Sequence, residues 1–136
     1  MTASAAVSSM GTTFDWNSHE VAEVTNITGP NSKVDTLDVT HYGSADYYRE
    51  FIATFIDGGE VTVECNWIYN DTDGQVAMNT DFAARTARTC VITLPDGTDT
   101  TLTFTGIITS RTFSQPMDGK LTISFTIKIS GAVAIA

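Results

Sequence analysis

From Lys120 to Ser130 the chain alternates: Leu121, Ile123, Phe125, Ile127 and Ile129 are apolar, and Lys120, Thr122, Ser124, Thr126, Lys128 and Ser130 between them are polar. A period of two over that length predicts a long strand with one greasy and one polar face. The stretch from Glu60 to Trp67 repeats the pattern, with Val61, Val63, Cys65 and Trp67 on one side and Glu60, Thr62, Glu64 and Asn66 on the other. Leu102 and Phe104 alternate with Thr101, Thr103 and Thr105 as far as Gly106, where Ile107 and Ile108 put the pattern out of phase. A bulge at Gly106 is the expectation. Pro95, Asp96 and Gly97 divide this run from Cys90, Ile92 and Leu94 and predict a hairpin turn. A second hairpin, turning near Pro116 to Gly119, joins the 101–113 strand to the last one.

Upstream, Val21 to Ile27 and Val34 to Thr40 read as strands joined by Gly29, Pro30 and Asn31, which predicts a further hairpin. Thr13 to Trp16 adds a short edge strand. One segment leaves the β pattern: Asp73 to Arg85 is rich in Gln, Ala, Met and Phe, with Val76, Asn79, Phe82 and Ala83 on one helical face. Asp71, Thr72 and Asp73 supply caps and early negative charge. This is the one predicted helix, packed over an open end or face of the sheet. The span 41–59 is long for a connection, and it carries Tyr42, Tyr47, Tyr48, Phe51, Ile52, Phe55 and Ile56. Two readings stand side by side. In one it forms a short helix packed on the domain's own core; in the other it is a projecting hairpin or arm whose apolar side chains bury against another subunit.

At 136 residues the chain is expected to form one domain, 1–136. Charged residues make up only 17%, so Thr and Ser supply much of the polar surface, as suits a pleated, half-exposed sheet. A net charge of −9 argues against a protein that grips phosphate backbones. It is compatible with a wall past which DNA slides. Met1 to Thr12 has neither the basic start nor the apolar run of a secretory signal and reads as a flexible arm. No stretch approaches the roughly 20 apolar residues of a membrane helix, the 131–136 tail included. The expectation is a soluble protein made in a cytoplasm. Cys65 and Cys90 fall in strand-like runs and are expected to be buried and reduced.

Motifs that carry chemistry are few. Asp71, Asp73 and Gly74 resemble part of a calcium loop, but Tyr69 stands at the first ligand position and Thr80 where a bidentate Glu is required. Helix capping accounts for these acids. His19 and His41 have no ligand spacing to each other or to the cysteines, and there is neither a nucleophile elbow nor a phosphate-cradling glycine loop. Glu60 with Glu64 and Asp35 with Asp38 are paired carboxylates of the kind a solvated strand face carries. No enzyme activity and no cofactor is expected.

The segments VTNITGPNSK (24–33) and VDTLDVTHYG (34–43), the Tyr- and Phe-rich insertion ending at Asp57, Gly58 and Gly59, the strand EVTVECNW, the helix and the hairpins carrying PDGT together resemble the tail tube proteins of long-tailed, siphovirus-type bacteriophages. The resemblance spans about Thr12 to Ser130. It implies a mainly β fold, a β-sandwich or barrel-like domain with one flanking α-helix and a long projecting loop or hairpin. It further implies hexameric rings whose sheets merge into an inner barrel, stacked around a tape measure protein and capped by tail terminator and distal tail proteins. DNA passes through the lumen during genome ejection without being specifically bound, and the protein resides in the virion tail, made in the host bacterial cytoplasm. On that reading Glu60, Thr62, Glu64, Asn66, Thr103, Thr105, Thr122, Ser124 and Thr126 face the lumen, and the 41–59 segment contacts an adjacent ring. Lys120 and Lys128 are expected near strand ends or paired with acids of neighbours. The alternative is a β-sandwich binding module, carbohydrate-binding or adhesin-like, which requires an exposed aromatic platform. Trp67 follows the inward phase of its strand; Trp16 is ambiguous.

Overall fold

A computed structural model describes residues 3–136. The part of the predicted N-terminal arm at residues 1–2 lies outside the described residues; from 3 to 12 the chain has no regular structure and is largely exposed. Nine strands and one α-helix follow. They are β1 (Thr13–Trp16), β2 (His19–Glu20), β3 (Val24–Thr28), β4 (Lys33–Asp38), β5 (Phe51–Asp57), β6 (Glu60–Asn66), α1 (Gln75–Ala84), β7 (Arg88–Thr93), β8 (Thr101–Ser114) and β9 (Thr122–Ile135). Seven strands form one antiparallel sheet in the order β2-β1-β7-β8-β9-β6-β3, and β4 and β5 form a separate two-stranded ribbon. Only Val21–Glu23 separates β2 from β3, although these are the two edges of the sheet. The sheet must therefore curl, and of the two expected forms it is the barrel-like one.

The core lies on one face of that sheet. Val61, Val63 and Cys65 of β6, Phe104 and Ile108 of β8, and Ile123, Phe125, Ile127 and Ile129 of β9 are all buried, as the period-two pattern predicts. Phe14 and Trp16 join them from β1, and Cys90 and Ile92 from β7. Helix α1 closes the core, but not with the expected face. Gln75, Met78 and Asp81 are its buried residues, whereas Ala83 is exposed and Val76, Asn79 and Phe82 are only half-buried. Polar anchoring decided this. The Gln75 side chain accepts from the Ile68 amide and donates to the carbonyls of Ala22 and Asn66. Asp81 accepts from the Trp16 indole at 2.8 Å and from Arg88. A buried polar group is retained when it is fully bonded, and these bonds outrank apolar periodicity. Asp71 caps the helix, accepting from the amides of Gln75 and Ala22.

Four strand expectations change. Val21–Ile27 and 34–40 do not form a hairpin with each other: β3 pairs with β6 and β4 with β5. Gly29 has φ +104° and lies against the Glu60 backbone, where a Cβ would overlap the carbonyl oxygen. This packs the 29–31 turn onto the start of β6 and directs the chain off the sheet. Gly106 is not the point where the alternation breaks. Phe104, Gly106 and Ile108 are successive buried positions, and Gly106 is small because Ile127 and Cys90 fill the space its side chain would occupy. The register shifts fall on either side, at Thr103/Thr105 and Ile108/Ser110. Residues 131–135 are not a tail; they continue β9, with Ile135 opposite Leu102. The expected hairpins β7–β8 and β8–β9 are present, and so is the short strand β1, but not as an edge: it lies between β2 and β7.

Cys65 and Cys90 are free and buried. Burial pushes both thiols up to about 12, for Cys65 with a smaller contribution from Asp71 and Glu64. Both should resist thiol reagents until the protein unfolds. A raised thiol pKa also sets a sign. The unfolded chain loses these protons from about pH 9 while the folded chain holds them, so stability should fall between about pH 9 and pH 12. Urea titrations across that window, with and without a double Cys→Ala substitution, measure the contribution; labelling of both thiols in native protein at neutral pH would refute the burial. Gly106→Ala should cost about 1–3 kcal/mol by overpacking, read as a lower urea midpoint at unchanged slope.

Candidate functional site

Two surfaces stand out, a polar sheet face and an uncovered ribbon. The first follows from register. Opposite the core, β6 and β9 place Glu60 against Lys128, Thr62 against Thr126, Glu64 against Ser124 and Asn66 against Thr122. On β8, Thr105 lies opposite Ser130 and Thr103 opposite Ala134 on the same face, nearer the other end of β9. All nine residues expected to share a polar face thus share one wall. Strand β3 extends it with Asn26 and Thr28, opposite Glu64 and Thr62, and Asn26 donates to the Glu64 carboxylate at 3.3 Å. Beyond the second register shift, Ser110, Thr112 and Ser114 of β8 join it opposite Thr126, Ser124 and Thr122. Sequence reasoning missed these three because the extra residue at Thr109 inverts the phase of the strand's second half.

Lys128 sits inside this wall, not at a strand end. It donates to Asp57 at 3.0 and 3.3 Å within the same chain, so no neighbour is needed to neutralise it. The Gly59 amide first, and then Lys128, hold the Asp57 carboxyl below its usual range. Lys120 lies exposed in the β8–β9 turn. The wall therefore carries two exposed carboxylates, Glu60 and Glu64, many hydroxyls and one internally paired cation.

The second surface is the ribbon. β4 and β5 pair antiparallel, Lys33 with Asp57 and Leu37 with Ile52, and neither strand pairs with the main sheet. The tip contains a short 3₁₀ turn at Ala45–Tyr47. Of the two readings of 41–59, the chain adopts the projecting hairpin, and it is longer than expected because 33–38 forms its first strand. Tyr42, Tyr47, Tyr48, Phe51, Ile52, Phe55 and Ile56 are all exposed, Phe55 at 82%, and Val34, Leu37 and Val39 are exposed with them. Polar bonds shape the ribbon from within: Arg49 pairs with Asp38 at 2.9 Å, and Ser44 bonds Glu50 beside His41. Its root is held by Asn31, which accepts from the Glu60 amide, and by Ser32, which donates to the Gly58 carbonyl. No exposed aromatic platform of the kind a carbohydrate module uses is built from the tryptophans: Trp16 is fully buried and Trp67 packs against the core.

Proteins of known structure share this fold. The protein of the tail of an empty gene transfer agent particle, determined with C6 symmetry, is 17% identical and superposes at a TM-score of 0.69, over 87% of this chain and 85% of that one. A protein of the native gene transfer agent virion is 16% identical at a TM-score of 0.76, covering 96% and 99%. The tube terminating cap of the anti-feeding prophage is 13% identical at 0.75, covering 100% and 94%. No curated protein matches the sequence. The family model described as lambda phage tail tube protein matches residues 3–136. The chain belongs to the lambda phage tail tube protein family, a family of structural tail proteins and not of enzymes.

Proposed function

We propose that this protein is the repeating subunit of a long, siphovirus-type phage tail tube: six copies close into a ring, rings stack into a hollow conduit, and DNA leaves through it. The observation that carries the reading is the ribbon. A two-stranded hairpin is marginally stable alone in water, and this one displays ten large apolar side chains with no cover from its own domain. Such a surface marks an association site. Family membership supplies the context, and the six-fold symmetry stated for the gene transfer agent tail supports the ring number. Short edge strands β2 and β3 are the places where neighbouring sheets within a ring would join. A tape measure protein inside the tube and terminator and distal tail proteins at its ends complete the set of partners, in a virion tail assembled in the bacterial cytoplasm.

The polar wall is assigned to the lumen. Glu60 and Glu64 repel phosphates at short range, the hydroxyls keep the wall wet, and Lys128 is already neutralised by Asp57, so the only cation on this face among the described residues is paired, Arg111 of β8 lying on the other face. An added Lys or Arg would release counterions from DNA and hold it.

Phe51→Ala with Phe55→Ala should leave the thermal midpoint of the free subunit nearly unchanged, because neither side chain touches the core. Each truncation removes ~1.5–3 kcal/mol of burial in the tube, repeated at every subunit, so electron microscopy should find no tubes. Loss of the monomer fold would refute the assignment. Glu64→Lys is the cleaner probe of the wall, since its cross-strand neighbour is Ser124 and not Lys128. Tubes should form, and genome ejection should slow at low salt and recover as salt rises. Normal ejection at low salt would refute the lumen assignment.

A further inference from the structure

The ribbon is fastened to the sheet at few points, and these are concentrated at its root. Asn31 accepts from the Glu60 amide and Ser32 donates to the Gly58 carbonyl, while Gly58 is pressed against Ile129 and Gly59, at φ +84°, against Asn31. Among the described residues, the Lys128–Asp57 ion pair is the only side-chain bond from 33–57 to the main sheet. Beyond it, the bonds of β4 and β5 stay within the ribbon. One pair therefore braces everything past the root.

Lys128 has a second carboxylate within reach. Register places Glu60 directly opposite it on β6, at the spacing where oppositely charged cross-strand side chains pair. Glu60 nevertheless makes no ion pair among the described residues. Asp57 in turn has a second cation. Lys33 stands opposite it across the ribbon, its charge already bears on the Asp57 carboxyl, and it too is in no ion pair. Four charged groups at the root thus allow two pairings, of which the structure shows one.

We infer that Lys128 is a two-position switch between Asp57 and Glu60, and that its position couples the orientation of the ribbon to the charge of the polar wall. On Asp57, as in the structure, Lys128 braces the ribbon and leaves Glu60 a free carboxylate on the wall. On Glu60 it neutralises that carboxylate, Asp57 passes to Lys33, and the ribbon is held by its root alone. Neither position buries a new charge, since the Lys128 and Asp57 side chains are 42% and 41% exposed. Partly exposed pairs of this kind each contribute little, so the two arrangements lie close in free energy and a small bias selects between them. The coupling is reciprocal. Whatever holds the ribbon against the sheet keeps the wall acidic, and whatever pulls it away removes one uncompensated carboxylate. A single side chain with two arrangements, biased from both surfaces, is sufficient for this. The switch belongs to the single subunit; its effect on DNA passing the wall rests on the tube reading above.

The test reads the orientation of the ribbon in the free subunit. Nitroxide labels on Tyr47→Cys at the ribbon tip, 96% exposed, and on Ala83→Cys at an exposed position of α1 report the distance between ribbon and domain. The buried native thiols stay unlabelled. Pulsed electron double resonance on the full chain should find two distances. Asp57→Asn, which keeps an acceptor for the Gly59 amide but loses the charge, should turn the minor distance into the major one, and Lys128→Met should do the same. Glu60→Gln should act in the opposite direction and remove the minor distance, an effect that a fixed brace between Lys128 and Asp57 does not produce. All three variants replace exposed or half-exposed groups and should keep the thermal midpoint of the free subunit. A distance distribution untouched by Glu60→Gln, or by Asp57→Asn, overturns the switch. Tube formation is not read in this experiment, so its failure is distinct from failure of the tube reading, which electron microscopy of the wild-type protein decides.

Discussion

The pairing of β8 with β9 is the constraint on which the rest of the molecule depends. Fourteen residues on each side form one long antiparallel ladder, and every other part of the sheet is added to its flanks, β7 and β1 beyond β8, β6 and β3 beyond β9. Because side chains alternate across a strand, this one ladder fixes both faces at once. Ile123 to Ile129 on one face carry the core, and Thr122 to Lys128 on the other make the wall. Its two register shifts then curl the sheet and re-aim the second half of β8. The ladder is also longer than the core it supports, which leaves Phe113 and Leu121 on the core face but past the core's end.

Core packing and exposed apolar surface are divided between different parts of the chain. Apart from Asn66 Oδ1, which is buried without a partner, the domain satisfies itself: its thiols are buried, Gln75 and Asp81 are bonded, and Asp71 ties the helix start to the β2–β3 connection. The ribbon does not. It keeps its internal ion pair and root bonds but exposes apolar side chains on both strands. Lys128 and Asp57 join the two parts, since one belongs to the wall and the other to the ribbon root.

The acidic balance of the chain has a consistent spatial expression. Three of its few cations each hold a local contact in place, as Arg88 locks Asp81 to the sheet, Arg49 braces the ribbon, and Lys128 anchors the root. The wall is left with carboxylates and hydroxyls. A surface of that kind neither attracts a polyanion nor offers it a foothold, which suits a passage better than a binding site.

The local patterns of the sequence were sufficient to specify the strands β6, β7, β8 and β9, their turns, the existence of the single helix and the shared face of Glu60, Thr62, Glu64, Asn66, Thr122, Ser124 and Thr126. Period-two alternation is a local property, and so is the chemistry of Pro95–Gly97. What the sequence left open was decided by partners distant in the chain. Val34 to Asp38 look like any strand, and only the competition between β3 and β5 for pairing made them half of a projecting ribbon. The buried face of α1 was set by Gln75 and Asp81 finding Ala22, Asn66, Trp16 and Arg88, polar contacts that an apolar periodicity does not register. Gly106 was legible as unusual but not as a space filled by Ile127 and Cys90. Residues 131–135 have too little pattern to announce a strand, and they became one because β8 offered an open edge opposite them.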